Sequence, residues 1–158
     1  MKWHKPSVLA LFAFLAVAPA FAAMPAHPAL RVTTLDGKTW NLAAQRGHWV
    51  IVNFWATWCV PCIKEMPAIS AFVSSHPDVR AIGLAYDDSP VAQIRAFVGK
   101  HPVSYPVAQV MLDKSPKDFD PPRGLPTTYL IAPDGTVARR FLGPIDGKVL
   151  AAAIKTAK

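Results

Sequence analysis

Glutamate and cysteine are scarce in this 158-residue chain, which holds one glutamate and two cysteines. Two cysteines cannot build a framework of several disulfides, and no second cysteine pair completes a four-thiolate zinc site. The histidines beyond residue 22 are isolated from one another, at His27, His48, His76 and His101. These shortages argue against a metal centre, so the chemistry has to be sought where the two thiols lie.

Clustered charge is also missing, although basic residues outnumber acidic ones. Seventeen lysines and arginines against ten acidic residues give a formal charge of +7, yet the longest basic run is the pair Arg139-Arg140. Proteins that bind nucleic acid usually gather their cations into a patch or stripe. We therefore expect no nucleic acid partner. The length suits one domain, and the chain has no internal repeat.

A long apolar run occurs only near the N-terminus. Two lysines precede the run Val8–Ala18, and small residues follow at Ala20 and Ala22, in the pattern that a signal peptidase recognises. The run is shorter than the roughly 20 residues that span a membrane. We expect residues 1–22 to be a signal peptide cleaved near Ala22, which leaves a periplasmic domain, 23–158, without a stable membrane span. Retention of this segment as an anchor is the alternative.

Two buried strands are predicted, each followed by a helix. The runs His48–Ala56 and Val79–Tyr86 are nearly continuous in apolar, β-branched and aromatic residues, as in strands that are buried on both faces. Apolar residues recur at helical spacing from Cys62 to about Ser75, and Pro90 opens a second helical segment. The order strand, helix, strand, helix predicts a parallel βαβ unit.

Turn dipeptides predict hairpins on either side of this unit. Asp36-Gly37 interrupts an alternating segment near the N-terminus, and Pro133–Gly135 separates two further strand segments. A short strand is predicted within Tyr105–Met111, a loop over Asp113–Pro122 and a closing amphipathic helix over Asp146–Ala157. Together these elements predict an α/β fold with a mixed central sheet flanked by helices and an extra N-terminal β-hairpin.

Both cysteines and the only glutamate lie within one ten-residue stretch, WCVPCIKEMP (Trp58–Pro67). A disulfide between Cys59 and Cys62 closes so short a loop that it contributes only about 2 kcal/mol in the chain-entropy model, which makes a purely structural role unattractive. At the start of the predicted helix, the Cys59 sulfur lies near unpaired N–H groups and the positive end of the helix dipole, which stabilise a thiolate. Cys62, one turn further on, is expected to be more buried. We therefore predict that Cys59 reacts with the partner and that Cys62 resolves the mixed disulfide.

Two segments carry a family resemblance: VNFWATWCVPCIKEMPAI (Val52–Ile69) and GLPTTYLIAPDGTVARRFLG (Gly124–Gly143). They resemble the periplasmic thioredoxin-like thiol:disulfide oxidoreductases of the TlpA/ResA group, and the similarity extends from about Leu30 to the C-terminus. The resemblance implies a thioredoxin fold and an exported location. We expect a monomer with no cofactor besides the redox-active Cys59–Cys62 disulfide. The resemblance also implies a reductase acting in cytochrome c maturation or copper-centre assembly, with a periplasmic protein disulfide as substrate and a separate electron-donor protein.

The resemblance further implies a substrate-binding surface around the cysteines. Trp58 matches the family's tryptophan before the reactive cysteine, and Pro126 matches the cis-proline that faces the disulfide. Val60 and Pro61 lie between the two cysteines. The Leu125-Pro126 backbone is expected to offer free hydrogen-bonding groups to an extended segment of the partner.

Glu65 matches the family's acid after the second cysteine. Residues three apart share a helix face, so its carboxylate is predicted to exchange a proton with Cys62. Burial would raise the pKa of this carboxyl towards neutrality. Thioredoxins usually carry a buried acid on the preceding strand, but the matching residue here is Asn53, which cannot titrate. The alternative interpretation of Glu65 is a solvated side chain on the helix surface.

The chain departs from the family pattern at Lys114–Gly124, a proline-bearing segment that is expected beside the substrate groove. Two other functions are compared with the oxidoreductase. A thiol peroxidase of the same fold would show Pro-x-x-x-Thr-x-x-Cys, but the matching positions are Val52 and Ala56. A copper chaperone of the Sco type would show cysteines separated by three residues and a distal histidine, and neither is evident. A metal-binding chaperone of the same fold is kept as the alternative function.

Overall fold

The computed structural model describes Met1 and residues 24–157. The predicted signal peptide and its cleavage near Ala22 therefore lie, apart from Met1, outside the described residues. Within the described part, no helix combines the length and the apolar character that crossing a membrane requires.

The strands and helices from residue 31 to residue 156 follow one another in the order that the sequence predicts. A short 3-10 helix, Leu42–Gln45, follows the first two strands. The elements are β1 (Arg31–Thr33), β2 (Thr39–Asn41), β3 (Trp49–Trp55), α1 (Val60–Ser75), β4 (Val79–Tyr86), α2 (Val91–Lys100), β5 (Val107–Val110), β6 (Thr127–Ile131), β7 (Val137–Leu142) and α3 (Gly147–Thr156).

The predicted mixed sheet is confirmed. Five strands are hydrogen-bonded in the order β5-β4-β3-β6-β7, with β3 at the centre. Strand β3 runs parallel to β4 and antiparallel to β6, and β7 is antiparallel to β6. Strands β1 and β2 form a separate antiparallel hairpin, as the Asp36-Gly37 turn predicts. The parallel half and the hairpin half therefore meet along the β3–β6 pair.

Strand β3 is buried along its whole length because both faces of the sheet are covered. On one face, Val52 and Phe54 pack in a cluster with residues from outside the helices, including Leu30 and Phe119. On the other face, Ile51 packs with residues of α1 and α3. The only polar side chain of this strand is Asn53, which lies on the same face as Ile51.

The segment Lys114–Gly124 is irregular, as predicted, but its middle belongs to the core. Phe119 is only 2% exposed, and its ring centroid lies 5.1 Å from that of Tyr129 and 6.1 Å from that of Phe54. The Ala29 N–H donates to the Asp118 carboxylate at 2.7 Å, which fastens the segment to the N-terminal part of the domain. This segment was expected to lie beside the substrate groove, and no pattern in its sequence predicts the core anchor at Phe119.

Candidate active site

The two cysteines lie where β3 ends and α1 begins, and they are joined by a disulfide. Cys59 is the N-cap of α1, and its sulfur accepts the Cys62 N–H at 3.3 Å. Cys59 is 5% exposed, whereas Cys62 is completely buried. The predicted position of Cys59 at the helix N-terminus and the deeper burial of Cys62 are both confirmed.

The predicted substrate-binding residues gather around this disulfide. Trp58 and Val60 project into solvent, with 65% and 60% of their surface exposed, and Pro61 is exposed beside them. Leu125 packs against the cluster that contains both cysteines. The Leu125–Pro126 peptide bond is cis, as the resemblance implies. Apolar side chains therefore surround the reactive sulfurs.

One detail of the predicted docking backbone is wrong. The Pro126 carbonyl is not free, because it accepts the Gly143 N–H at 2.9 Å, and proline itself has no N–H to offer. Leu125 makes no backbone hydrogen bond with another described residue. The groups left for a partner are therefore those of Leu125.

Leu142 was not singled out from the sequence. It is exposed, and its Cδ1 atom lies 3.5 Å from the position that a Cβ atom would occupy at Gly124.

Glu65 is buried under the start of α1, with only 3% of its surface exposed. Its Oε1 accepts the Asn53 amide at 2.8 Å, and its Oε2 accepts the Ile145 N–H at 2.9 Å. Burial raises the pKa of Glu65 to about 7, against the opposing effect of these two hydrogen bonds. The interpretation of Glu65 as a solvated helix residue is therefore wrong. A carboxyl with this pKa can both accept and release a proton near neutral pH.

Tyr105 is a further buried titratable group on this side of the sheet, and the sequence analysis did not single it out. Burial, reinforced by the negative charge of Glu65, raises the pKa of its phenol far above the usual value. The phenol therefore stays neutral across the physiological range and adds no charge near Glu65. Its ring lies 3.1 Å from the position that a Cβ atom would take at Gly83, the residue paired with Asn53 across the sheet.

A buried carboxylate also fixes the loop that leads into Cys59, and sequence reasoning missed it. Asp87 Oδ2 accepts both the N–H of Thr57 at 2.9 Å and its hydroxyl at 2.6 Å, while Oδ1 accepts the Ser89 N–H at 2.9 Å. Burial alone would raise the pKa of Asp87, but these hydrogen bonds hold it below its usual value. The ionised carboxylate therefore ties the end of β4 to the residue two positions before Cys59. The signal in the sequence was an acid immediately after a buried strand.

The described residues do not bring three or more histidine, cysteine, aspartate or glutamate side chains together in a group able to hold a metal ion. The two cysteines therefore have no third ligand beside them in this part of the chain. The alternative of a metal-binding chaperone, which could use the two thiols alone, stays a prediction.

Comparison with known proteins gives consistent matches. The sequence pattern of the AhpC/TSA family matches residues 17–140. Over 120 residues the chain is 36% identical to the thiol-disulfide oxidoreductase ResA of Bacillus thuringiensis (strain Al Hakam), covering 73% of this chain and 67% of that protein. Thioredoxin-like protein YneN of Bacillus subtilis (strain 168) is 30% identical over 125 residues, covering 77% of this chain and 72% of YneN.

A solved structure agrees with these relatives. MTB dsbF, in its mixed oxidized and reduced forms, superimposes with a TM-score of 0.72 at 25% identity, covering 86% of this chain and all of that one. The thioredoxin fold predicted from the sequence is confirmed. The prediction of a thiol-disulfide oxidoreductase is confirmed as well, by the relatives together with the Cys59–Cys62 disulfide.

Proposed function

We propose that this chain, which belongs to the AhpC/TSA family and is a thiol-disulfide oxidoreductase, serves as an exported reductase of disulfides in partner proteins. Partners in cytochrome c maturation or copper-centre assembly fit the TlpA/ResA resemblance. The proposed location is the periplasm, after removal of residues 1–22, and the proposed form is a monomer. A separate electron-donor protein would return the disulfide to the dithiol state. Peroxide is not proposed as a substrate, because Val52 and Ala56 leave the peroxidase positions apolar and buried.

The reaction needs two thiol–disulfide exchanges. In the first, the Cys59 thiolate attacks one sulfur of the partner's disulfide, and the partner's other sulfur leaves as a thiolate. In the second, Cys62 gives its proton to Glu65 and attacks the Cys59 sulfur, which releases the second partner thiolate and closes the Cys59–Cys62 disulfide. Two electrons pass to the partner, whose thiolates take up protons from the surroundings.

The observation that supports thiol–disulfide exchange through Cys62 is the buried carboxylate of Glu65 on the helix that carries this cysteine. A resolving thiol can attack only after it has lost its proton, and a base with a pKa of about 7 can take that proton at neutral pH. The surface around Cys59 complements this chemistry, because Trp58, Val60 and Leu125 offer apolar contacts to an extended segment of the partner.

The equilibrium reduction potential tests the direction of electron flow. We expect the Cys59–Cys62 couple, equilibrated with glutathione or dithiothreitol, to lie near the value of about −270 mV that is typical of thioredoxin. A reductase needs a lower reduction potential than the disulfide that it reduces. A potential near the oxidant value of about −120 mV would contradict the proposal.

Trapping of mixed disulfides tests the division of labour between the thiols. We expect Cys62→Ser to accumulate covalent adducts with its partners through Cys59, because no resolving thiol remains, whereas Cys59→Ser should accumulate few. The experiment uses the full chain expressed with its N-terminal segment, and adducts are identified by mass spectrometry after non-reducing electrophoresis. Equal trapping by the two variants would refute the assigned roles.

The intact mass of the recovered protein also checks the cleavage, since a chain beginning at Ala23 is expected.

A further inference from the structure

Asn53 is a polar side chain in an otherwise apolar strand, and it is completely buried. It lies opposite Thr128 on β6 and opposite Gly83 on β4. A buried carboxamide is costly unless its polar atoms find hydrogen-bond partners. The contacts of Asn53 therefore indicate what this residue does at the centre of the sheet.

Both hydrogens of the Asn53 amide are used. Nδ2 donates to Glu65 Oε1 at 2.8 Å and to Thr128 Oγ1 at 2.9 Å. The ionised Glu65 carboxylate can only accept, so it selects the NH2 end of the amide, and the Thr128 hydroxyl holds the side chain there by accepting the second hydrogen, while Asn53 Oδ1 has no hydrogen-bond partner among the described residues. The reversed amide would place its partly negative oxygen against the Glu65 carboxylate, and the two negative groups would repel each other.

We infer that Asn53 is a positioning residue for proton transfer: its amide, held by Thr128, keeps the Glu65 carboxylate in place and stabilises its ionised form. The inference rests on the proposed role of Glu65 as the proton acceptor for Cys62. In this structure Asn53 makes its side-chain hydrogen bonds to Glu65 and Thr128 and none to the disulfide-bonded cysteines, so we assign it a role through Glu65.

The balance of forces at Glu65 explains why one amide matters. Burial disfavours the carboxylate, and among the described residues two donors oppose it, the Asn53 amide and the Ile145 N–H from the loop before α3. The charge of Glu65 also acts on the Tyr105 phenol, which stays neutral, and Cys62, three residues earlier on the same helix, carries no charge in the disulfide. Hydrogen bonds from N–H groups to a buried carboxylate are stronger than those between neutral groups. Without the Asn53 amide, burial would keep Glu65 protonated at neutral pH and unable to accept the thiol proton.

The chain offers a direct measurement, because Glu65 is its only glutamate. Protein labelled with ¹³C at the glutamate side-chain carboxyl gives a single carboxyl resonance, whose chemical shift against pH reports the ionisation of Glu65 without any turnover. In Asn53→Leu, we expect the midpoint of this titration to rise by about 1 to 2 pH units, because a shift of this size corresponds to the loss of one hydrogen bond to a charged group. Thr128→Val should raise it by a smaller amount, and Thr128→Ser, which keeps the hydroxyl, should titrate like the wild type.

A matched control comes from Thr34, a buried threonine in the N-terminal hairpin whose hydroxyl donates to the Lys38 carbonyl. Thr34→Val should leave the Glu65 midpoint unchanged. An unchanged midpoint in Asn53→Leu would overturn the inference. Where Asn53→Leu does not fold, identical titrations of Thr128→Val and Thr128→Ser would overturn it as well.

The same variants separate this inference from the proposed function. If the Glu65 midpoint rises as expected and the midpoint of the pH profile of disulfide exchange shifts to higher pH with it, the inference on Asn53 and the proposed function are both supported. If the midpoint rises but the exchange profile does not move, Asn53 still sets the ionisation of Glu65, and the proposed acid–base role of Glu65 is what fails.

Discussion

Replacement of Glu65 by glutamine is expected to slow disulfide exchange by about 10- to 100-fold at neutral pH while the fold is retained, at or below the low end of typical acid–base contributions. Glutamine keeps the size of the side chain but cannot take the proton of Cys62. In the wild type, the rate of partner reduction should rise with pH as Glu65 ionises, with a midpoint near its pKa of about 7. The variant should lack this rise. Reduction of insulin or of a partner disulfide, followed from pH 5 to 9, measures both effects.

A control variant is needed to separate the effect of losing one negative charge from the effect of losing the buried acid Glu65. Asp78→Asn removes one negative charge at an exposed position far along the chain from the cysteines, and it should leave the pH profile unchanged. Far-UV circular dichroism checks that each variant is folded. Superimposable profiles for the wild type and Glu65→Gln would show that Glu65 does not exchange protons with Cys62.

Replacement of Phe119 by alanine is expected to lower the free energy of unfolding by about 3 to 5 kcal/mol, the range for removing a large aromatic side chain from a core. Phe119 packs against Phe54 and Tyr129 on the face of the sheet that α1 does not cover, so the surrounding side chains cannot easily fill the space that it leaves. Urea unfolding of the oxidised protein, monitored by tryptophan fluorescence, gives the difference.

Lys117→Ala is the control for this second experiment, because Lys117 lies in the same segment but is exposed. Exposed substitutions usually change stability by no more than about 0.5 kcal/mol. A Phe119→Ala protein as stable as the control would show that the segment is not part of the core.

Elements whose signal lies in consecutive residues could be predicted from the sequence. Strand β4 has the predicted bounds, Val79–Tyr86, because a strand buried on both faces needs a continuous apolar run. The placement of Cys59 at a helix start followed from the strand that precedes it. The same local reasoning placed Glu65 on the helix face of Cys62.

The partners of Glu65 could not be predicted in the same way, because they come from distant parts of the chain. Ile145, which supplies a backbone N–H, is separated from Glu65 by 80 positions, and Thr128 is separated from Asn53 by 75. The Asn53–Thr128 pair depends on strand register and the Glu65–Ile145 pair on how a loop packs against α1, and a single sequence reveals neither. Phe119 was missed for another reason, since one aromatic among prolines and charged residues produces no periodicity.

The two outer strands of the sheet differ in how they resist pairing with other chains. The N-terminal hairpin occupies part of the β5 edge, where the Leu35 N–H donates to the Val107 carbonyl at 2.7 Å and Thr34 bridges Ala108. At the opposite edge, β7 carries the exposed cations Arg139 and Arg140, next to an irregularity in its pairing with β6. Charge and irregular pairing disfavour the addition of a foreign strand. The hairpin and the arginines are therefore expected to protect against intermolecular β-sheet aggregation, which matters because the apolar side chains proposed to bind partners, Trp58 and Val60, are exposed.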